Sequence, residues 1–365
     1  MSQSTIKAFN TAGPCIPADH YMSPVLSRQT GVNEMFEGKY YFVLHAPRQS
    51  GKTTFLYALT DEINSQGQMY ALCCSLEACQ GVTDDEKAMT RIAVEINTAL
   101  QLSSNDNLVS LALPDDRLPK LAPSMKIFKS LNRLCVNLDK DLVVFFDEAD
   151  SLIDAPLITF LRQIRLGYNN RSRSPQSKFP RSMALVGMRD IRDYLVQARD
   201  GQISSGLASP FNIKKEAFTL PNFTQDEIAH LYHQHTEASG QAFEALAVER
   251  AWYWSEGQPW LVNALAYESV VNILGKNYSQ PITSDIMNDA AENLIKRRDT
   301  HIDSLLERLK EPRVRAVMEP IIIGSRRVPI KVPLDDKRYV MDLGLLKGDY
   351  GNLRPANPIY NEVFI

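Results

Sequence analysis

Short runs of consecutive apolar residues alternate, up to about residue 220, with stretches whose apolar positions recur every three or four. Residues 40–44 form an aromatic and β-branched run with the composition and length of a buried strand, 141–146 is the strongest strand signal in the sequence, and 69–74, 182–188 and 213–220 read as further strands. Helical periodicity covers 30–36, 53–63, 84–100, 125–138, 156–166 and 191–198. Strands alternating with helices predict right-handed crossovers and a parallel sheet covered on both faces, an α/β fold. From 224 to 297 the strand pattern disappears, and four helices are expected at 224–236, 242–255, 260–274 and 284–297. Residues 296–365 return to a mixed pattern with a helix expected at 333–343. Pro14, Pro17, Pro24 and Gly13 mark 1–39 as an extended arm, and 103–124 and 169–180 read as long polar loops. Three parts follow: a sheet domain at 1–221, a helical domain at 222–295 and a mixed domain at 296–365.

Composition narrows the class. The chain has 365 residues, of which 44% are hydrophobic and 23% charged, the balance of a globular protein. The formal net charge of -3 excludes a polyelectrolyte binder acting through the whole molecule. No apolar run reaches the ~18 residues of a membrane helix, and the first residues lack the apolar core of a signal peptide. Five cysteines, three of them at Cys73, Cys74 and Cys79, do not suggest a disulfide framework. A cytoplasmic protein without a membrane partner is expected.

The chemistry concentrates at two strand ends. Ala46-Pro47-Arg48-Gln49-Ser50-Gly51-Lys52-Thr53-Thr54 joins the strand at 40–44 to the helix at 53–63, the setting that a phosphate-binding loop requires. Phosphates need a concave row of backbone N–H groups, a helix N-terminus and a cation. Gly51 permits close approach, Lys52 reaches the outer phosphates, and the Thr53 hydroxyl is suited to magnesium. Ala46 stands where the motif has its first glycine. At the second end, 95 residues after Lys52, the strand at 141–146 runs into Asp147-Glu148-Ala149-Asp150. Asp147 is expected to hold magnesium and Glu148 to orient or deprotonate water, while Asp150 suits the cap of the next helix.

On these residues the sequence resembles the P-loop ATPases of the AAA+ and STAND assemblage, and among them the bacterial and archaeal AAA-like domain ATPases, similar in shape to origin-recognition proteins. That resemblance implies a P-loop ATPase core, a helical lid and a C-terminal winged helix, with ATP or ADP and Mg2+ as cofactors. Leu26-Ser27-Arg28 looks like the family's arginine near the adenine, with His20 and Tyr21 in the same arm. Val186-Gly187-Met188-Arg189-Asp190 looks like the strand whose polar residue senses the γ-phosphate, which assigns Arg189. Gly257-Gln258-Pro259 resembles the lid motif whose proline packs by the base. Asp342-Leu343-Gly344-Leu345 and Ala356-Asn357-Pro358-Ile359-Tyr360 resemble the winged helix. Arg199 stands where an arginine finger would.

The remaining patterns leave alternatives open. His230, His233 and His235 cannot share one helical face, so a metal site is not expected. Trp252, Trp254 and Trp260 read as lid core rather than as a base-stacking platform. Arg171, Arg173, Lys178 and Arg181 face no nearby acids in sequence, which suggests either a solvated loop or a contact to DNA. Residues 296–365 carry 14 Lys and Arg against 10 acids, enough for a DNA-binding wing, although Asp335 and Asp336 would repel phosphate. The expected function is an ATP-driven switch acting on a protein partner or on self-assembly, in signalling or antiviral defence by resemblance. The alternatives are an ATP-licensed DNA-binding protein or a regulatory subunit of a separate effector.

Overall fold

The computed structural model describes residues 6–114, 121–188, 213–297, 300–324, 331–350 and 352–364. By compactness the chain divides into two units. One comprises Gln29–His45 and Phe55–Thr219, and the other Met1–Arg28, Ala46–Thr54 and Leu220–Ile365.

The first unit is built on a five-stranded parallel sheet. Its strands are β1 (Tyr41–His45), β2 (Tyr70–Ser75), β3 (Leu142–Asp147), β4 (Ser182–Gly187) and β5 (Lys214–Thr219), in the order β2-β3-β4-β1-β5. Every residue of β3 and of β4 is buried, which explains why their sequences run apolar without alternation. Helix α1 (Val32–Glu37) precedes β1, and α2 (Lys52–Gln66) follows the loop after it. Helix α3 (Asp85–Gln101) starts at Asp84, whose carboxylate accepts from the Lys87 amide. The expected 103–124 loop contains one helical turn, α4 (Asp106–Val109), capped by Asn105. Helices α5 (Pro123–Asn137) and α6 (Asp154–Asn170) complete the described part of this unit. Ile92, Ile96, Ile127, Leu131, Phe160 and Ile164 share one core with Leu72, Val144 and Phe146. Burial of each such side chain stabilises by about 1.5–3 kcal/mol.

Two readings of this unit are corrected. The cations of the 169–180 loop are not free of acids: Arg181 Nη1 lies 2.7 Å from Asp141 Oδ2, and its Nε donates to the Phe36 carbonyl. Arg171 donates to the carbonyls of Arg181 and Lys39 and stacks 4.0 Å over the Tyr168 ring. These arginines staple strand beginnings together. Asp150 does not cap α6 either; Ile153 holds that position, and Asp150 lies in a 3-10 turn at Ala149–Ser151. The helix expected at 191–198 lies outside the described residues.

The second unit is mainly helical. Thr224 caps α7 (Gln225–Ser239) in a reciprocal capping box with Glu227. Helices α8 (Ala245–Ser255), α9 (Pro259–Tyr267) and α10 (Ser284–Arg297) follow. The expected 260–274 helix begins at Pro259 and changes to a π-helix at Glu268–Ile273. Then come α11 (Thr300–Arg308), α12 (Pro312–Ile322) and α13 (Leu334–Asp342). An antiparallel hairpin of β6 (Leu346–Asp349) and β7 (Asn352–Pro355) leads to α14 (Pro358–Phe364). One core runs through all these helices, from Ile228 and Leu261 to Val317, Val340 and Ile359.

The N-terminal arm is held by this second unit. Phe9 and Tyr21 belong to its core, and Trp260 Nε1 donates to the Thr11 carbonyl at 2.9 Å. A chain of hydrogen bonds starts with the Lys7 amide donating to the Tyr21 oxygen, and that hydroxyl reaches His235 Nδ1 at 3.1 Å. His235 Nε2 meets Gln241 Oε1 at 2.9 Å, and Gln241 donates onward to the Gln280 carbonyl. His235 thus serves packing, and burial lowers its pKa. Among the described residues no group of three or more His, Cys, Asp and Glu is arranged to hold a metal by itself.

Candidate nucleotide site

β1 is followed at once by Ala46, and the chain enters α2 at Lys52. The first turn of a helix has N–H groups without intrahelical partners, and its dipole favours an anion. Gln49 and Gly51 take left-handed φ values of 56° and 84°, which fold the intervening loop back toward the helix start. Lys52 is 6% exposed, and its ammonium donates to the carbonyls of Ala46 and Pro47, each at 2.9 Å. The Ser50 hydroxyl donates to Pro47 O at 2.7 Å. Thr53 is the second residue of α2, and the Thr54 hydroxyl accepts from the Cys15 amide at 3.0 Å. The loop is thus cross-linked to itself around a buried cation, a donor set that fits a polyphosphate.

Two side chains from outside the motif grip the same loop. Arg28, 8% exposed, donates through Nη2 to the carbonyls of Ser50, at 3.1 Å, and Pro221. Its guanidinium lies 4.9 Å over the Phe223 ring. Burial pulls its pKa down to about 10, against the attraction of Glu227, so it is charged at neutral pH. Gln258 caps α9 through the Leu261 amide and donates through Nε2 to Gln49 O at 3.4 Å. Gly257 before it has φ 75°, and a β-carbon there would collide with Phe223 O. Pro259 is buried at the first turn of α9. Tyr21, expected in the same nucleotide-binding arm as Arg28, has its hydroxyl committed to Lys7 and His235. Sequence reasoning missed Gln258 as a contact to the loop; its signal was the Gly-x-Pro motif itself.

In the sheet unit, β1 and β3 are parallel members of one sheet, so the chain leaves both at the same edge. Asp147 ends β3 with 3% exposure, and one of its oxygens accepts from the Glu148 amide at 2.9 Å. Glu148 has a left-handed φ of 54°, a conformation of higher energy for a non-glycine residue. The strained turn lifts the Glu148 side chain out of the fully buried strand. Asp150 Oδ1 is buried without a hydrogen-bond partner among the described residues and lies 2.7 Å from where a Gly187 β-carbon would be. Gly187 ends β4. Arg189 and Arg199, assigned from the sequence, lie outside the described residues.

A parallel sheet, a Gly-Lys-Thr loop leaving β1 and an acidic end of β3 define a P-loop ATPase fold. The chain belongs to the AAA-like domain family, whose profile matches residues 18–365. It is 26% identical over 349 residues to an uncharacterized WD repeat-containing protein of Synechocystis; the match covers 90% of this chain and 27% of that protein. The chain therefore spans about a quarter of that relative's length. Among solved structures it resembles the Walker-type ATPase of Pyrococcus abyssi, with a TM-score of 0.64 and 15% identity over 98% of this chain and 99% of that one. The ORC2 protein of Aeropyrum pernix, solved with ADPNP and ADP, has a TM-score of 0.54 and 12% identity over 94% of each chain. These likenesses establish the fold.

Proposed function

We propose that this protein is an ATP-hydrolysing switch in which nucleotide at the P-loop fixes the position of the lid. The observation that carries the reading is the grip of Arg28 and Gln258 on successive carbonyls of the loop, at Ser50 and Gln49. Phosphate that orders the loop thereby also acts on the lid helix that Gln258 caps. The solved neighbour with ADPNP and ADP supports an adenine nucleotide as ligand.

In this reading Ala46, Pro47, Arg48, Gln49, Ser50, Gly51 and Thr54 form the cradle. The Lys52 ammonium exchanges its carbonyl partners for the outer phosphate oxygens. Thr53 and Asp147 are the residues that would hold Mg2+, which neutralises charge on the phosphates. Glu148 orients the attacking water for in-line displacement, with Arg189 assigned to charge on the transferring group. Arg28, Tyr21 and Pro259 belong to the nucleotide end of the arm and lid. Residues 296–365 are read as a winged helix that carries the nucleotide state to a protein partner or a second copy. A relative that contains WD repeats in the same chain favours a protein output.

Isothermal titration tests the assignment. Lys52→Ala is expected to abolish ATP binding, whereas Glu148→Gln should bind ATP and fail to turn it over. ATP binding by Lys52→Ala together with none by Glu148→Gln would reverse the two roles.

A further inference from the structure

Arg28 is a buried cation with no ion-pair partner among the described residues, and its Nε has no hydrogen-bond partner there. Burying an unpaired charge is costly, and a brace between two carbonyls needs no charge, since a neutral amide can donate as well. Three contacts nevertheless hold it: Ser50 O on the phosphate loop, and Pro221 O and the face of Phe223 in the segment that leads into α7. A fourth is steric. A β-carbon on Gly51 would stand 3.1 Å from Arg28 Nη1, so the guanidinium lies directly against the Ser50–Gly51 peptide.

That peptide has a consequence for anion binding. In a planar trans peptide the N–H points opposite the preceding C=O. Holding the Ser50 carbonyl toward Arg28 therefore turns the Gly51 N–H away from Arg28. Gln258 acts likewise one residue earlier, on the Gln49 carbonyl, and so sets the direction of the Ser50 N–H. A cradle whose donors are aimed before the ligand arrives loses less free energy to ordering when it binds.

We propose that Arg28 is a positioning residue of the phosphate cradle, and not a contact to the adenine base. It clasps the Ser50 carbonyl so that the Gly51 N–H is directed at phosphate, and it ties this peptide to Pro221, where the lid begins. Its fixed positive charge adds a favourable field for any polyanion in the loop. The inference rests on the nucleotide reading above and sharpens it: the ligand feature that depends on Arg28 is the polyphosphate.

Inorganic tripolyphosphate, which has no base, separates the two roles. Wild type, Arg28→Met and Arg28→Lys are titrated calorimetrically with ATP and with tripolyphosphate, each variant's unfolding midpoint being measured without ligand. Arg28→Met should lose about tenfold or more in affinity for both ligands by a similar factor. Arg28→Lys should recover part of that loss for both, since it keeps the charge and one donor. A purely structural role would lower the unfolding midpoint without restoring polyphosphate affinity in Arg28→Lys. Loss confined to ATP, with tripolyphosphate unchanged, would overturn the proposal in favour of a base contact. Unchanged affinity for both would overturn it outright. If Arg28→Met does not fold, wild-type tripolyphosphate affinity in Arg28→Lys would overturn it equally. Wild type that binds neither ligand would instead overturn the nucleotide reading itself.

Discussion

Gly344 packs against Pro47 so closely that a β-carbon on Gly344 would come 2.6 Å from Pro47 Cγ. The C-terminal segment thus touches the phosphate loop directly, within the same compact unit, through residues almost three hundred positions apart. Gly344 also has φ 76°, so its freedom from a side chain serves both the turn after α13 and the approach to Pro47.

Gly344→Ala is therefore expected to shift Pro47 and disturb the carbonyls that Lys52 holds. ATP affinity should fall several-fold, although residue 344 lies outside every nucleotide motif. Calorimetric titration of ATP checks this, with the unfolding midpoint as a control. Wild-type affinity in Gly344→Ala would show that the loop does not depend on this contact.

Gly257→Ala should be among the most destabilising single changes in the lid. Its β-carbon would meet a backbone atom, Phe223 O, which cannot rotate away, and φ 75° adds strain. Each effect costs of the order of 1–3 kcal/mol. Urea unfolding of the variant should show a loss of about 2 kcal/mol or more.

The β6–β7 hairpin bears on DNA binding. Lys347 and Arg354 are cross-strand partners, and both pair with Glu256, Arg354 at 2.7 Å. The hairpin cations that would neutralise DNA phosphate are engaged with a carboxylate of the lid. Wild type should thus bind duplex DNA weakly, with a shallow dependence on salt. Glu256→Gln should steepen the slope of log K against log salt by up to about two units, since each phosphate contact contributes close to one. Fluorescence anisotropy over a salt series measures the slope. Equal slopes would mean that these cations do not reach DNA even when released.

Acid should loosen the arm through His235. Its pKa is lowered by burial, so the unfolded chain takes up its proton first as pH falls below about 6.5. The stability of the neutral form is complete above that value and declines below it, until the folded-state pKa is passed. His235→Gln removes the titration and keeps a hydrogen-bonding side chain. Comparing urea unfolding at pH 7 and pH 5 should show a smaller acid loss in the variant than in wild type.

Much of the sheet was legible because its signals are local. The strands at β3 and β4 are apolar on both faces, and the Gly51-Lys52-Thr53 turn needs only a strand before it and a helix after it. Asp147 stands out by position alone, as the acid that closes a buried apolar strand. Arg181 was misread for the opposite reason. Asp141 is forty residues earlier in the chain, and only the parallel pairing of β3 with β4 brings their beginnings together. Asp150 followed the rule that acids favour helix starts, yet the helix starts later and Asp150 lies against Gly187.

The class of fold, the phosphate loop and the acidic strand end follow from the chain's own order of residues, since periodicity and short motifs act over a few positions. What holds that loop follows from packing alone. Arg28, Gln258 and Gly344 reach it from the arm, the lid and the C-terminal segment, through contacts between residues 22, 209 and 297 positions apart. Such contacts leave no periodic trace, because a carbonyl accepts from any donor that packing brings within reach. Packing likewise closes the arm onto the lid through Tyr21 and His235, a pairing that neither residue's neighbours in sequence announce.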